Sequence, residues 1–143
     1  INPTPGEPNP MSQVIKLEGK ILQVREVNAP QSVGYGATHR IKKKGWIATV
    51  GVGYADGFLR SLSNKGIGFL GGIRVPLVGR VSMDLITFDV SDVPREMAHP
   101  GALIDLIGPN NSADDVANTA GTIGYEILTS LGHRYHRVYR ANT

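Results

Sequence analysis

At 143 residues, 41% of them hydrophobic and with a formal net charge of +3, the chain can bury one substantial core but hardly two. It has no cysteine, which excludes disulfides, thiolate metal sites and a cysteine nucleophile, and suits a reducing, cytosolic setting. No apolar run approaches the roughly 20 residues that span a bilayer as a helix and no basic-then-apolar leader opens the chain, so a soluble protein with no membrane association is expected.

Ile1 to Pro10 holds four prolines, Pro3, Pro5, Pro8 and Pro10. That is the composition of a linker leaving an upstream domain, and with Ile1 in place of an initiator methionine it predicts a piece of a longer protein: a linker over 1–10 and a domain over 11–143. From Val14 to Val27 apolar and polar residues alternate on either side of Gly19, which predicts two strands, or one strand bent at the glycine. Next comes Val33-Gly34-Tyr35-Gly36-Ala37-Thr38-His39, a tyrosine between two glycines. Glycine on both sides lets the backbone come close to a ligand, so Tyr35 is expected to be presented rather than buried.

Arg40, Lys42, Lys43 and Lys44 form the one basic cluster, by default a solvated turn between strands. The few aromatic residues do not alternate with it, so a nucleic-acid partner is not expected. Trp46 to Val52 is nearly all apolar or β-favouring, as in a strand buried on both faces. Ile67–Leu70, Gly71-Gly72 and Ile73–Val78 predict a hairpin, and Leu85–Val90 and Ala102–Ile107 predict two further strands.

After Gly108-Pro109-Asn110-Asn111, the run Ser112-Ala113-Asp114-Asp115 matches a Ser-x-x-acid helix start, and a short helix is expected there. A second helix is predicted from about Gly124 to Leu131, stopped by Gly132, with Tyr135 to Arg140 as a closing strand. Strands outnumber helices. The expected fold is mainly β, a barrel or sandwich with one or two short helices near the C-terminus.

Several familiar chemistries find no carrier. Gly51-Val52-Gly53 follows a strand, but the third glycine of a dinucleotide fingerprint is displaced to Gly57, and Phe58 to Gly66 is too broken for the helix that would receive a pyrophosphate. His133 and His136 are three apart, yet Gly132 ends the preceding helix, so no metal site is expected. No Gly-x-Ser-x-Gly occurs for acyl transfer.

Four glycine-bounded or short polar motifs remain: Gly34-Tyr35-Gly36, Gly53-Tyr54-Ala55-Asp56-Gly57, Gly79-Arg80-Val81-Ser82-Met83-Asp84 and Thr122-Ile123-Gly124-Tyr125-Glu126. In these motifs, in their order and near-family spacing, the sequence resembles the C-terminal domain of the alanine racemases, fold-type III enzymes that use pyridoxal 5'-phosphate. The resemblance covers essentially the whole chain, and Ile1-Asn2-Pro3 is similar to the end of the family's N-terminal (β/α)8 barrel domain.

Carried over by position, the resemblance implies that Tyr35 is the catalytic tyrosine, the base for the L-enantiomer. Racemisation passes through a planar carbanion stabilised by the cofactor, so a proton leaves one face and returns on the other, which requires two acid–base groups on opposite sides. A free tyrosine has a pKa of ~10, so only about one in a thousand is phenolate at neutral pH. In the family a His–Arg pair of the other domain favours the anion. The second base is the lysine that also holds the cofactor covalently, near the start of the barrel domain. None of Lys16, Lys20, Lys42, Lys43, Lys44 and Lys65 stands in that motif's context, so the isolated chain is expected to be inactive.

The resemblance further implies a head-to-tail homodimer in the cytoplasm, in which Tyr35 acts on the partner subunit's active site and the domain also joins its own N-terminal barrel. Met83 would offer its backbone N–H to the substrate carboxylate and Tyr125 would hydrogen-bond the cofactor phosphate. Tyr54, Arg60, Arg80, Asp84 and Ile123 would line the entrance corridor, where arginines suit an amino-acid substrate. The product would be D-alanine for peptidoglycan. One departure is His39, where the family often has a second tyrosine.

Without the resemblance the same residues have plainer readings: Tyr54 a turn residue, Arg80 and Asp84 a surface pair, Met83 core filler, Tyr125 a packing residue at a helix start. Two alternatives to alanine racemisation stay open: a racemase for serine or a broader set of amino acids, and a non-enzymatic basic β module that binds an acidic partner or nucleic acid through Arg40 to Lys44.

Overall fold

The computed structural model describes residues 6, 14–27, 31–33, 39–41 and 45–140, with only the backbone of 31–33 and 39–41 described. The expected linker over 1–10, apart from Gly6, and the lysines 42–44 lie outside the described residues.

The mainly β expectation holds, and of the two architectures it allowed the barrel is the one that forms. Six strands close in the order β1 (Leu17–Val27), β4 (Gly45–Val50), β7 (Ile86–Asp89), β6 (Ile73–Val78), β5 (Ile67–Leu70), β8 (Leu103–Ile107) and back to β1. All neighbours are antiparallel. Two three-residue strands, β2 (Gln31–Val33) and β3 (His39–Ile41), pair with each other outside the barrel.

β1 makes the closure possible. Its first part pairs with β8, from Leu17 opposite Ile107 to Lys20 opposite Leu103, and its second part with β4, from Ile21 opposite Val50 to Val27 opposite Gly45. Of the two forms predicted, the single bent strand is the one present, with register shifts at Leu17/Glu18 and between Ile21 and Gln23 that let it bend from one neighbour to the other. At Gly19 a Cβ would sit 2.5 Å from Val50 Cγ1, so a side chain there would push the wall apart.

Inward side chains fill the interior: Ile21, Val50, Val75, Ile86, Phe88, Ile104 and Leu106 are essentially inaccessible to solvent. The predicted hairpin is β5–β6, turning on Gly71-Gly72 at φ of 59° and 83°. Helix α1 (Ala113–Ala120) starts at Ser112 as predicted: the Asp115 N–H donates to Ser112 Oγ at 3.1 Å and the Ser112 N–H to Asp115 Oδ2 at 3.0 Å. It packs on α2 (Gly124–Ser130), and Val116, Ala117 and Ile127 are buried with the barrel core. Among the described residues no helix is long and apolar enough to cross a membrane.

One expected element is absent. Tyr135–Arg140 is not a strand; residues 131–140 run without regular structure. A closed barrel offers no free edge for a further strand to pair with.

The registers fix which loops share an end. Val50 lies opposite Ile86, Val78 opposite Thr87, Ile67 opposite Pro76 and Leu17 opposite Ile107. Hence the loops 51–66 and 79–85, the helices after β8 and the start of β1 all gather at one end of the barrel. The chain leaves toward β2 from Val27 and returns at Gly45 at the other end.

Candidate functional site

Seven of the eight residues singled out from the sequence lie on the loops and helices of that one end. The eighth, Tyr35, lies outside the described residues; the paired backbones of β2 and β3 flank its segment, with Val33 opposite His39.

The scaffold of the site is a turn. After β4, Tyr54–Asp56 forms a 3-10 turn and Arg60–Leu62 a second, where a dinucleotide fold would have placed a helix. The Gly53 N–H donates to Asp56 Oδ2 at 3.1 Å, closing the first turn with a carboxylate that is only 3% exposed. Gly57 ends it at φ 89°, a left-handed conformation, and a Cβ there would fall 1.9 Å from the Ser130 carbonyl oxygen. Gly53 is equally constrained, since its Cβ would meet the Ser82 and Met83 carbonyl oxygens at 2.3 Å.

This turn is joined to the next loop through the backbone. The Tyr54 N–H donates to the Ser82 carbonyl and the Ala55 N–H to the Met83 carbonyl, both at 3.0 Å. The Ser82 hydroxyl in turn accepts from the Leu85 N–H at 3.2 Å. With its carbonyl taken by Ala55, Met83 keeps an N–H that has no partner among the described residues.

The C-terminal segment locks the two loops together. Arg134 spans two carboxylates, its Nε 2.9 Å from Asp56 Oδ1 and its Nη1 2.8 Å from Asp84 Oδ1. The hydrogen bond to Asp84 and the charge of Asp56 raise its pKa above the ordinary arginine value. The Gly132 N–H donates to the Asp56 carbonyl at 3.1 Å and Arg137 Nη2 to the Gly132 carbonyl at 3.0 Å. Beside them Tyr135 has its hydroxyl buried with no hydrogen-bond partner among the described residues. Burial, then the neighbouring Asp56 charge, pushes that phenol well above its usual range, so it is neutral.

Arg60 and Arg80 share a shallow depression with Ser61 and Ser63. Ser63 holds it together: its hydroxyl donates to the Arg60 carbonyl at 2.7 Å and accepts from the Val81 N–H at 2.8 Å. Ser61 Oγ donates to the Ala120 carbonyl at 2.9 Å, linking this turn to the end of α1 and so to Ile123 and Tyr125 just beyond.

The side chains on this frame face outward: Tyr54 is 45% exposed, Met83 52%, Tyr125 60% and Ile123 64%. That disposes of three plainer readings. Met83 is not core filler, Tyr125 is not a packing residue, and Asp84 pairs with Arg134 rather than Arg80. Sequence reasoning gave Asp56, Arg134 and Tyr135 no part in the site; only the chain's folding back brings Arg134 and Tyr135 to the turn. Among the described residues no group of three or more His, Asp or Glu side chains is placed to hold a metal ion.

One end of an antiparallel barrel thus carries a hydrogen-bonded polar frame with large apolar and aromatic side chains left in solvent, the kind of surface on which binding sites are found. The chain belongs to the family of alanine racemase C-terminal domains, whose model matches residues 14–139. It is 64% identical over 138 residues to an alanine racemase of Rhodospirillum rubrum, covering 96% of this chain and 37% of that protein. To a catabolic alanine racemase of Mesorhizobium japonicum it is 48% identical, covering 97% and 36%. Among solved structures, the alanine racemase of Bartonella henselae with covalently bound pyridoxal phosphate superposes with a TM-score of 0.84 at 41% identity, covering 87% of this chain and 34% of that one. The chain thus spans about a third of the length of these relatives.

Proposed function

We propose that this chain is the C-terminal β domain, residues 11–143 behind a linker at 1–10, of an alanine racemase that interconverts L- and D-alanine, and that it supplies one of two bases and one wall of the substrate gate. The observation that carries the reading is the family match over 14–139 together with the Met83 N–H, which has no partner among the described residues and stands on a loop fixed by two backbone hydrogen bonds. A donor held in place and left unpaired suits a substrate carboxylate.

The cofactor is pyridoxal 5'-phosphate, which when bound withdraws electrons from the substrate's α-carbon and so acidifies its proton. The described residues fit it as contributors. Tyr125, exposed in the first turn of α2, offers a single hydroxyl donor to its phosphate. The covalent lysine is assigned to the N-terminal (β/α)8 domain of the full-length enzyme; within this chain Lys16 is engaged with Glu18 and Asp105 at 3.8 and 3.7 Å. Tyr35 takes the proton from the L-enantiomer in the active site of the partner subunit of a head-to-tail homodimer. Arg60 and Arg80 draw the carboxylate inward, and Tyr54, Asp84 and Ile123 narrow the way to it. The setting is cytoplasmic and the product serves peptidoglycan.

Two measurements test this. Comparing kcat/KM for alanine, serine and lysine on the full-length enzyme is expected to rank alanine first; a higher value for serine or lysine replaces the substrate assignment. Incubating the isolated chain with pyridoxal phosphate and borohydride is expected to leave no modified lysine, and one stoichiometrically trapped lysine would overturn the assignment of the covalent lysine to another domain.

A further inference from the structure

We infer that Arg134 is the positioning residue of the substrate gate: its guanidinium fixes the turn 53–57 against the loop 82–84, and with it the donor on Met83. The inference rests on the racemase reading above and deepens it.

The two loops meet through the close approach of Gly53 to the Ser82 and Met83 carbonyls and through two backbone hydrogen bonds, Tyr54 to Ser82 and Ala55 to Met83. The side chain that links them is that of Arg134, which comes from neither: one nitrogen meets Asp56 in the turn, another Asp84 next to Met83. Its two arms have different work. Asp56 is a buried carboxylate whose other oxygen takes the Gly53 N–H, so it requires a positive charge beside it. Asp84 is half exposed, where an ion pair adds little to stability. That second arm gains the fold almost nothing, and its consequence is geometric: a planar fork with set angles holds Asp84, hence Met83, at a fixed offset from the Tyr54 turn. A lysine in this place neutralises Asp56 as a point charge but lacks the planar fork that reaches Asp56 from Nε and Asp84 from Nη1.

Charge and geometry are therefore separable. In the full-length enzyme Arg134→Gln is expected to lower the melting temperature and raise KM for alanine. Arg134→Lys is expected to recover most of the melting temperature and still show a KM raised about tenfold with kcat within about threefold of the parent. Deuterium uptake is expected to rise in the peptide containing Tyr54 and Ala55 in the lysine variant, since their amides donate across the loop junction. If Arg134→Lys restores both KM and uptake to parental values while the parent racemises alanine, Arg134 is only a counter-ion and the inference is wrong. A parent enzyme without racemase activity overturns the racemase reading instead, and unchanged uptake in the lysine variant refutes the positioning role independently of any activity.

Discussion

The barrel wall and the site end are held by different forces. In the wall, β4 and β7 pair through a continuous ladder and bury Val50, Ile86 and Phe88 completely; the side chains do the stabilising and none is available for anything else. At the site end the backbone of residues 53–57 and 82–85, one buried carboxylate and one arginine do the holding, and Tyr54, Met83, Ile123 and Tyr125 stay in solvent. The division matters for binding, because a side chain already used for packing cannot be offered to a ligand.

The comparison breaks most visibly at Phe88. Phe88→Ala is expected to cost about 3–5 kcal/mol in denaturant unfolding, because the barrel cannot collapse onto the cavity. Gly57→Ala attacks the other region: with φ 89° and the Ser130 carbonyl in the way, it is expected to destabilise by more than about 1 kcal/mol and to disturb the site as well. Ser112→Ala removes the cap of α1 and should cost about 1 kcal/mol, read from the same unfolding curves.

Tyr125→Phe sharpens the comparison in the opposite sense. The side chain is exposed, so stability should change by less than about 0.5 kcal/mol, whereas the full-length enzyme should release pyridoxal phosphate more readily on dialysis. Tyr135 gives the smallest effect and a pH signature. Its phenol is pushed above the usual range in the fold, so the stability it contributes is complete below about pH 10 and declines as pH rises through the range where only the unfolded chain ionises. Tyr135→Phe, which removes a buried hydroxyl without a partner among the described residues, should leave the pH 7 melting temperature unchanged or higher and flatten the alkaline decline.

Local signals made much of this fold legible. The Gly71-Gly72 turn, the Ser112 cap with Asp115 and the buried run at β4 each declare themselves within a few residues. Barrel closure does not, because it depends on β1 changing partners partway along, a matter of bulges and of which strands meet. The closing strand at Tyr135–Arg140 failed for the same reason: its composition allows a strand, but closure leaves it no edge. At the site, Gly53 and Gly57 stood out as the bounds of a short motif, and Tyr54, Met83, Tyr125, Arg60, Arg80, Asp84 and Ile123 came with the family resemblance. Arg134 was not visible, since nothing in Gly132-His133-Arg134 says that its side chain crosses to carboxylates far back in the chain.

Under the proposed function Tyr35 supplies the base for one enantiomer and another domain supplies the base for the other. Exchange of the α-proton with deuterated solvent, followed separately from L-alanine and from D-alanine in the full-length Tyr35→Phe enzyme, separates the two bases. Loss of about 10²-fold or more in exchange from L-alanine, with exchange from D-alanine largely retained, is the predicted result; equal exchange from both enantiomers at the parental rate would contradict it.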